Sequence, residues 1–207
     1  MIALIPGVSF AVTRAFFSDT ATSTSNTFSA AESFGTPTPT LGEQPEAAPG
    51  KIVINEVSSL GDNNFEWVEL FNSGGSSVDL TGWTIVDGDS SSDNLSAITI
   101  PAGGYAIVVT NNEDSSIISS IPGEAQTITL ASPTIGDGLT NTGDAVTIKD
   151  NTSSIVDSMS YGTDISVFTG VAAPTTADTT LRRITNGTDT DVAGDWQVGT
   201  SSIGVSN

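Results

Sequence analysis

The sequence of 207 residues contains neither cysteine nor histidine. Without cysteine there is no disulfide framework and no thiol chemistry, and without histidine the commonest general base and the commonest zinc ligand are missing. The lack of cysteine does not argue against export, because a chain of this length can bury a core that needs no covalent cross-link. Since no nucleophile motif is visible either, we expect a protein that is not an enzyme.

Basic residues are also scarce. Lys and Arg total 5 against 24 Asp and Glu, which gives a formal net charge of −19. Such a charge repels nucleic acid and anionic lipid, and it suits a soluble extracellular protein that attracts divalent cations. The apolar run within residues 1–15 is shorter than the roughly 20 residues that span a bilayer. The sequence therefore argues against nucleic acid as a partner and against a stable membrane span.

From Lys51 onward, short segments of alternating apolar and polar residues predict β-strands between turns rich in Gly, Asn and Asp. No segment sustains a helical period for more than a turn or two. The turn at residues 101–104, Pro-Ala-Gly-Gly, predicts a hairpin between the strands on its two sides. Evenly spaced short strands favour a sandwich or a barrel, so the predicted fold class is all-β.

The chain divides into five segments by composition. Residues 1–15 are apolar and end in small residues, as a signal peptide does. Residues 16–34 are rich in Ser and Thr and form an N-terminal arm. Residues 35–50 contain enough proline to favour an extended linker. Residues 51–200 form the predicted β-domain, and residues 201–207 form a C-terminal tail.

The junction between the first two segments resembles a known export signal. After Ala15 come Phe-Phe-Ser-Asp at residues 16–19 and Asn-Thr-Phe at residues 26–28. This pattern is similar to the N-terminal region of proteins exported through the SipW-type signal peptidase, the TasA and camelysin type of biofilm-fibre and surface proteins. The resemblance implies cleavage after Ala15, secretion to the extracellular space or cell surface, and a role for the arm.

The region from Lys51 to Val198 resembles a lamin-tail domain. Seven segments carry the resemblance in order and spacing: INEV (54–57), EWVELFN (66–72), VDLTGWTI (78–85), IPAGGYAIV (100–108), GLTNTGDAVTIKD (138–150), IVDSMSYG (155–162) and LRRITNGTDTDVAGDW (181–196). The resemblance implies an immunoglobulin-like β-sandwich that has binding and assembly roles and is not itself a catalyst. The chain departs from nuclear lamins because it has no coiled-coil rod.

Two aspartate-rich loops are candidate calcium sites. Calcium prefers several oxygen ligands from flexible loops. The candidates are Asp87, Asp89 and Asp93 in one loop and Asp189, Asp191 and Asp195 in the other. Neither loop follows the EF-hand pattern, and aspartate also favours ordinary solvated turns. Of the two, we predict calcium at the loop of Asp189, Asp191 and Asp195; no other cofactor is indicated.

Three glutamates near predicted strands could form a carboxylate pair. Such a pair catalyses glycoside hydrolysis when it flanks a cleft. Glu66 and Glu69 are three residues apart, so on one strand they face opposite sides. A catalytic pair of Glu56 with Glu66 or Glu69 remains an open interpretation. The ordinary alternative is that these glutamates form polar pairs at the domain edge.

Other residue patterns have a structural interpretation beside a functional one. Tryptophans in segments with a strand-like pattern predict packing in the core, unless one of them is exposed and stacks on a sugar. Two lysines permit a lysine–asparagine cross-link, and three acceptor patterns permit N-glycosylation in a host with the enzymes. The residues are Trp67, Trp83 and Trp196, then Lys51 and Lys149, then Asn94, Asn151 and Asn186.

Two functions of different classes fit these observations, beside an enzyme, which we disfavour. The first is a subunit of an extracellular filament or biofilm matrix, a homopolymer in which the arm of one copy adds a strand to the next sandwich. Phe16, Phe17 and Phe28 would then be the apolar anchors of the arm. The second is a monomeric cell-surface adhesion module whose loops contact a glycan or a protein.

Overall fold

A computed structural model describes residues 50–59, 66–88, 91–112, 115–176 and 178–207 of the chain. Pro45–Asn207 form one compact unit. The predicted signal segment, the arm with Phe16, Phe17 and Phe28, and all but the last residue of the linker lie outside the described residues.

Short strands dominate the described part of the chain, as the alternating pattern predicts. In chain order they are β1 (Ile52–Ser58), β2 (Trp67–Asn72), β3 (Val78–Asp79), β4 (Thr84–Asp87), β5 (Ser92–Asn94), β6 (Thr99–Ile100), β7 (Tyr105–Val109), β8 (Gln126–Thr129), β9 (Gly143–Lys149), β10 (Ile155–Gly162), β11 (Thr179–Arg183) and β12 (Trp196–Thr200). A helix, α1 (Ser115–Ser120), and a 3₁₀ turn (Ala193–Asp195) complete them. Neither is long and apolar enough to cross a membrane.

The strands form two main sheets and one small one. The first sheet has six strands in the order β12-β11-β1-β2-β7-β8, and the second has four in the order β10-β9-β4-β5. Strands β3 and β6 pair separately. All pairings are antiparallel except that of β7 with β8, whose parallel connection contains α1. The predicted all-β sandwich is confirmed.

The main core lies between the two large sheets. Apolar side chains from alternate positions of both sheets bury one continuous cluster, which includes Ile54, Leu70, Val146, Met159 and Leu181. A smaller cluster covers the opposite face of the six-stranded sheet. There Trp67, Ile107 and Val109 pack beneath α1 and Ile203. The six-stranded sheet is therefore covered on both faces, which explains why β1 is buried along its whole length.

A β-bulge in β1 decides which side chains reach the outer face of this sheet. Ile54 lies opposite Leu70, but the next pair is Glu56 opposite Glu69. The extra residue, Asn55, lets both Asn55 and Glu56 lie on the outer face before Val57 returns to the core. The bulge thus places two glutamates side by side.

One sequence prediction about the fold is wrong. The turn at residues 101–104 does not close a hairpin, because β6 pairs with β3 while β7 pairs with β2 and β8. Instead the turn is fastened to the end of β2: the Gly103 N–H donates to the Asn72 carbonyl, and the Asn72 N–H donates to the Gly104 carbonyl. Proline and glycine mark a turn, but they do not show whether the flanking strands share a sheet.

Candidate functional site

The β11–β12 hairpin carries the three predicted calcium ligands, Asp189, Asp191 and Asp195. Arg183 ends β11 and lies opposite Trp196, the first residue of β12. Its guanidinium carbon lies 4.7 Å from the centre of the Trp196 ring, a cation–π contact. Strand alternation puts Arg183 on the same side of the sheet as Leu181, so its charge points into the core, where it is 1% exposed.

Arg183 is satisfied by a set of oxygen acceptors. Its Nη2 pairs with Asp157 Oδ2 at 2.9 Å, and its Nη1 pairs with Asp189 Oδ1 at 3.3 Å and Asp195 Oδ2 at 3.6 Å. The Nε donates to the Ile54 carbonyl at 2.7 Å, and Lys51 Nζ reaches the other oxygen of Asp189 at 3.0 Å. A buried charge is tolerated only when it is paired and hydrogen-bonded in this way.

The structure places the predicted calcium ligands around this arginine. Carboxylate oxygens of Asp157, Asp189 and Asp191 lie within 4.8 Å of one another, whereas Asp195 is not in that group. Asp195 instead accepts from the N–H and hydroxyl of Thr190, at 2.7 and 2.8 Å. Asp189 and Asp195 already face Arg183, so a cation would compete with it. Calcium at this loop stays a prediction.

The ionisation of these aspartates follows from the same contacts. Burial raises the pKa of Asp157 above its usual value, although Arg183 opposes the change. Burial also disfavours the charged form of Asp189, but Lys51 and Arg183 together lower its pKa. The pKa of Asp195 is likewise lowered, because hydrogen bonds from Thr190 and the charge of Arg183 outweigh its burial.

The second aspartate-rich loop is used differently. Asp87 and Asp93 join Glu66 in holding the loop between β8 and β9, and Asp89 lies outside the described residues. Three successive amides of that loop each donate to a different carboxylate: Ile135 to Glu66 at 3.0 Å, Gly136 to Asp93 at 2.8 Å and Asp137 to Asp87 at 2.7 Å. These acids therefore anchor a loop.

Glu66 and Asp93 form no ion pair with any described lysine or arginine. Burial raises the pKa of Glu66 to about 7, and burial together with Asp137 raises the pKa of Asp87 to about 6. A polar cavity of about 280 Å³ opens beside them; its lining is Glu66, Thr134, Asp137, Gly138, Leu139, Thr140 and Asn141.

Glu56 and Glu69 form a buried pair that residues 202–207 cover. Glu56 accepts from the Thr180 hydroxyl at 2.6 Å and from the N–H and hydroxyl of Ser202. Glu69 accepts from Asn55 Nδ2 at 2.7 Å and from the Gly204 N–H at 2.6 Å. Burial raises the pKa of Glu69 to about 8, and the nearby Glu56 adds to the effect. Both glutamates are fully buried, so in this conformation the pair does not line a cleft.

The edges of the two large sheets differ in how they are covered. On β10, the edge of the four-stranded sheet, the Gly162 N–H donates to the Val171 carbonyl, and Ser160 Oγ accepts from Val167 and Phe168. The opposite edge strand, β5, has only three residues. The four-stranded sheet is therefore blunted at both sides.

The β12 edge of the six-stranded sheet is open. The Ile184 N–H donates to the Asp195 carbonyl at 2.7 Å, so these two residues form a hydrogen-bonded pair at the end of the β11–β12 ladder. Because alternate antiparallel pairs exchange both bonds, Val198 and Thr200 direct their N–H and C=O groups away from β11. Among the described residues, nothing accepts from either N–H. On β8, the Leu130 bond to Val109 leaves Thr127 and Thr129 facing outwards in the same way.

The remaining candidates are accounted for by packing and exposure. The tryptophans are core or near-core residues, as predicted: Trp67 and Trp196 are buried and Trp83 is half-buried against the main core. Lys51 is exposed and ion-paired, and Lys149 is half-buried on β9. Asn94 and Asn151 are exposed, whereas the Asn186 side chain accepts a hydrogen bond from Asn55.

Sequence reasoning missed Arg183 and the covering role of Ser202 and Gly204. A signal for Arg183 was present, because it shares strand alternation with the apolar Leu181 and so had to point into the core. Nothing comparable marks Ser202 or Gly204, since their partners Glu56 and Glu69 are far away in the sequence and Glu56 reaches the outer face only through a bulge.

One comparison with known proteins gives a family. The family model described as Lamin Tail Domain matches residues 45–163, more than half of the chain. The mostly β structure with several sheets is consistent with the immunoglobulin-like sandwich of that domain. Strands β11 and β12 lie beyond the matched residues, yet they complete the six-stranded sheet. A search of curated proteins gave no match.

Proposed function

Because the chain belongs to the lamin tail domain family, we propose that it is a secreted structural protein, a subunit of an extracellular filament or surface matrix. In this proposal, the arm at residues 16–34 of one copy adds a strand to the sandwich of the next copy. The observation that carries it is the open edge of the six-stranded sheet. Val198 and Thr200 there offer backbone groups with no described partner, whereas the edges of the four-stranded sheet are blunted.

Strand addition fits the physical requirements of such an assembly. An incoming strand satisfies the free N–H and C=O groups of the edge, and its side chains can bury apolar surface. Burial of one phenylalanine contributes roughly 1.5–3 kcal/mol. Association costs about 4–15 kcal/mol before ordering of the arm is included, so more than one anchor has to dock. Phe16, Phe17 and Phe28 supply three.

Export is part of the same proposal. The junction after Ala15 supports cleavage there, which would place Phe16 at the start of the mature chain. Mass spectrometry of protein recovered outside the cells measures this directly. We expect a species that begins at Phe16; recovery of the intact chain from Met1 alone would contradict the cleavage while leaving the fold untouched.

Assembly is tested with the full chain and a variant that carries both Phe17→Ser and Phe28→Ser. We expect the parent protein to form filaments in electron micrographs and the variant to remain soluble and small by light scattering. The melting temperature of the domain should be nearly the same in both, because the described core is built from residues that begin at Ile52. A chain from which residues 16–34 are deleted should behave like the double variant.

Two outcomes would count against this function. If the chain without residues 16–34 forms the same filaments, the arm is not the connector. If the parent protein is monomeric at every concentration and ionic strength tried, a monomeric surface-binding module replaces the filament subunit.

A further inference from the structure

We infer that the β12 edge, with the loop between β11 and β12, is the acceptor surface for the arm of a second copy. The assignment rests on the strand-addition function proposed above and adds which edge receives the strand. The two open edges of the six-stranded sheet, β12 and β8, differ in side chains, in shape and in charge.

The side chains favour β12. Val198 on this strand is 36% exposed, and Ile184 and Val192 in the adjoining loop are 51% and 48% exposed. On β8 the outward residues are Thr127 and Thr129, which are polar. A donor with aromatic anchors gains apolar contact at the first edge and little at the second. The exposed apolar residues of the hairpin therefore match the phenylalanines of the arm.

The shape beside β12 supports the same choice. A depression of about 140 Å³ lies at the loop end of the hairpin, lined by Ile184, Thr185, Thr188, Gly194 and Asp195. Ile184 pairs with Asp195 directly before the start of β12, so the depression continues the line of the open edge. Strand-addition sites combine main-chain hydrogen bonds with pockets for individual side chains, and this edge has both.

One basic side chain at the β12 edge is left for the acidic arm of a second copy. Three of the five basic residues, Lys51, Arg182 and Arg183, lie on or beside the hairpin. Arg182 lies across Gly199 of β12 and forms no ion pair with any described carboxylate. The arm carries Asp19 and Glu32 and no basic residue. An acidic segment that docks here meets a free arginine.

The first described residues of the chain also lie near the β12 edge. The described chain begins at residue 50, and Lys51 reaches Asp189 in the β11–β12 loop. The first described residues of each copy therefore lie beside the β11–β12 loop. Copies linked from arm to edge would repeat head to tail, which is the arrangement that extends into a filament.

The test removes one outward N–H from each edge. Val198→Pro deletes the free N–H on β12 without touching the bonds of Gln197 and Gly199 to β11. Thr129→Pro is the matched control on β8. We expect Val198→Pro to weaken self-association of the full chain by about tenfold or more, the effect of one lost hydrogen bond plus steric clash. Thr129→Pro should assemble as the parent does, and melting curves of both variants report whether the domain stays folded.

A cross-linking experiment checks the same assignment without a fold-disturbing change. Since the chain has no cysteine, single cysteines can be placed at will. Full chains with Ser18→Cys, a position in the arm that is not one of the anchors, are mixed with chains that carry either Thr200→Cys or Thr129→Cys and are then oxidised. We expect a disulfide-linked dimer with Thr200→Cys and none with Thr129→Cys.

The outcomes separate this inference from the function on which it rests. If the parent chain assembles, Thr129→Pro blocks assembly and Val198→Pro does not, the acceptor is β8 and this inference is wrong while the function stands. If filaments persist after deletion of residues 16–34 but Val198→Pro abolishes them, the occupant of the β12 edge is a second β12 strand. If the parent chain never associates, the proposed function fails and this inference with it.

Discussion

The two regions that bury carboxylates in this protein do so by opposite means. Around the β11–β12 loop, Asp157, Asp189 and Asp195 surround the guanidinium of Arg183. Along the loop between β8 and β9, Glu66, Asp87 and Asp93 instead accept hydrogen bonds from three successive backbone amides. The first region therefore lowers the pKa values of Asp189 and Asp195, whereas the second raises the pKa values of Glu66 and Asp87 toward neutrality.

The difference shows what each arrangement stabilises. A buried arginine fixes several chain segments at once because its donors are spread over a plane, and here it joins β1, β10 and the β11–β12 loop. A backbone amide donates to one acceptor only, so the second region needs a separate acid for each residue that it holds. The four predictions below perturb these buried or clustered carboxylates, from the largest expected effect on stability to the smallest.

The largest effect is expected from Arg183→Met. The substitution leaves Asp157 buried without a counter-charge, so we expect a loss of about 3–5 kcal/mol in the free energy of unfolding. Chemical denaturation of the parent and the variant measures it. Arg182→Met is the matched control on the same strand, since Arg182 has no described ion pair; an equal loss in the control would show that the paired charge is not the cause.

A smaller loss is expected from Gly136→Ala in the amide-held region. Gly136 has φ of 60°, and an added Cβ would collide with the carboxylate of Asp87. Backbone strain and displacement of Asp87 should together cost about 2–3 kcal/mol. Gly103→Ala is the control, because Gly103 has φ of 70° but open space around it, and only the strain contribution remains. Equal losses in the two variants would contradict a specific role for the Asp87 contact.

The pH dependence should separate the two kinds of acid. Glu69, Glu66 and Asp87 have folded-state pKa values of about 8, 7 and 6, above their usual range. The folded protein therefore holds more protons than the unfolded chain between about pH 5 and 8, and the free energy of unfolding falls as pH rises through that window. Asp189 and Asp195 have lowered pKa values, so stability is also lost below about pH 4.

Denaturation curves between pH 3 and pH 9 test this shape, and Glu69→Gln tests its source. The variant should lose part of the decline above pH 5, at most about 1.4 kcal/mol per pH unit for the one proton that no longer titrates. Glu124→Gln, on an exposed glutamate, should keep the full decline. A parent protein that is equally stable at pH 5 and pH 8 would contradict the raised pKa values.

Calcium is expected to give the smallest effect. The carboxylates of Asp157, Asp189 and Asp191 are close enough to share an ion, but Arg183 and Lys51 already neutralise part of their charge. We expect millimolar calcium to stabilise the parent by no more than about 1 kcal/mol, and Asp191→Asn to remove the gain. Identical melting temperatures in calcium and in chelator would rule out a folded-state site of useful affinity.

The sequence predicts the strands better than their connections. The segments around Ile54, Val68, Val108 and Val146 alternate clearly, and each forms a strand where the pattern indicates one. The parallel pairing of β8 and the bulge at Asn55 are invisible to alternation, because both depend on distant partners. For the same reason the sequence alone did not establish that Glu56 and Glu69 form a pair. The geometry of the pair needs the bulge, and its burial needs Ser202 and Gly204.

The position of β1 in its sheet sets the order in which the fold can be completed. β1 lies between β2, its neighbour in the sequence, and β11, which is far along the chain. Contacts between distant residues form slowly, because a long loop has to close before they are gained. β12 docks only on β11, so the open edge arises in the last steps of folding. In the assembly that we propose, a chain that is still folding would therefore have no acceptor strand and would not join a neighbour too early.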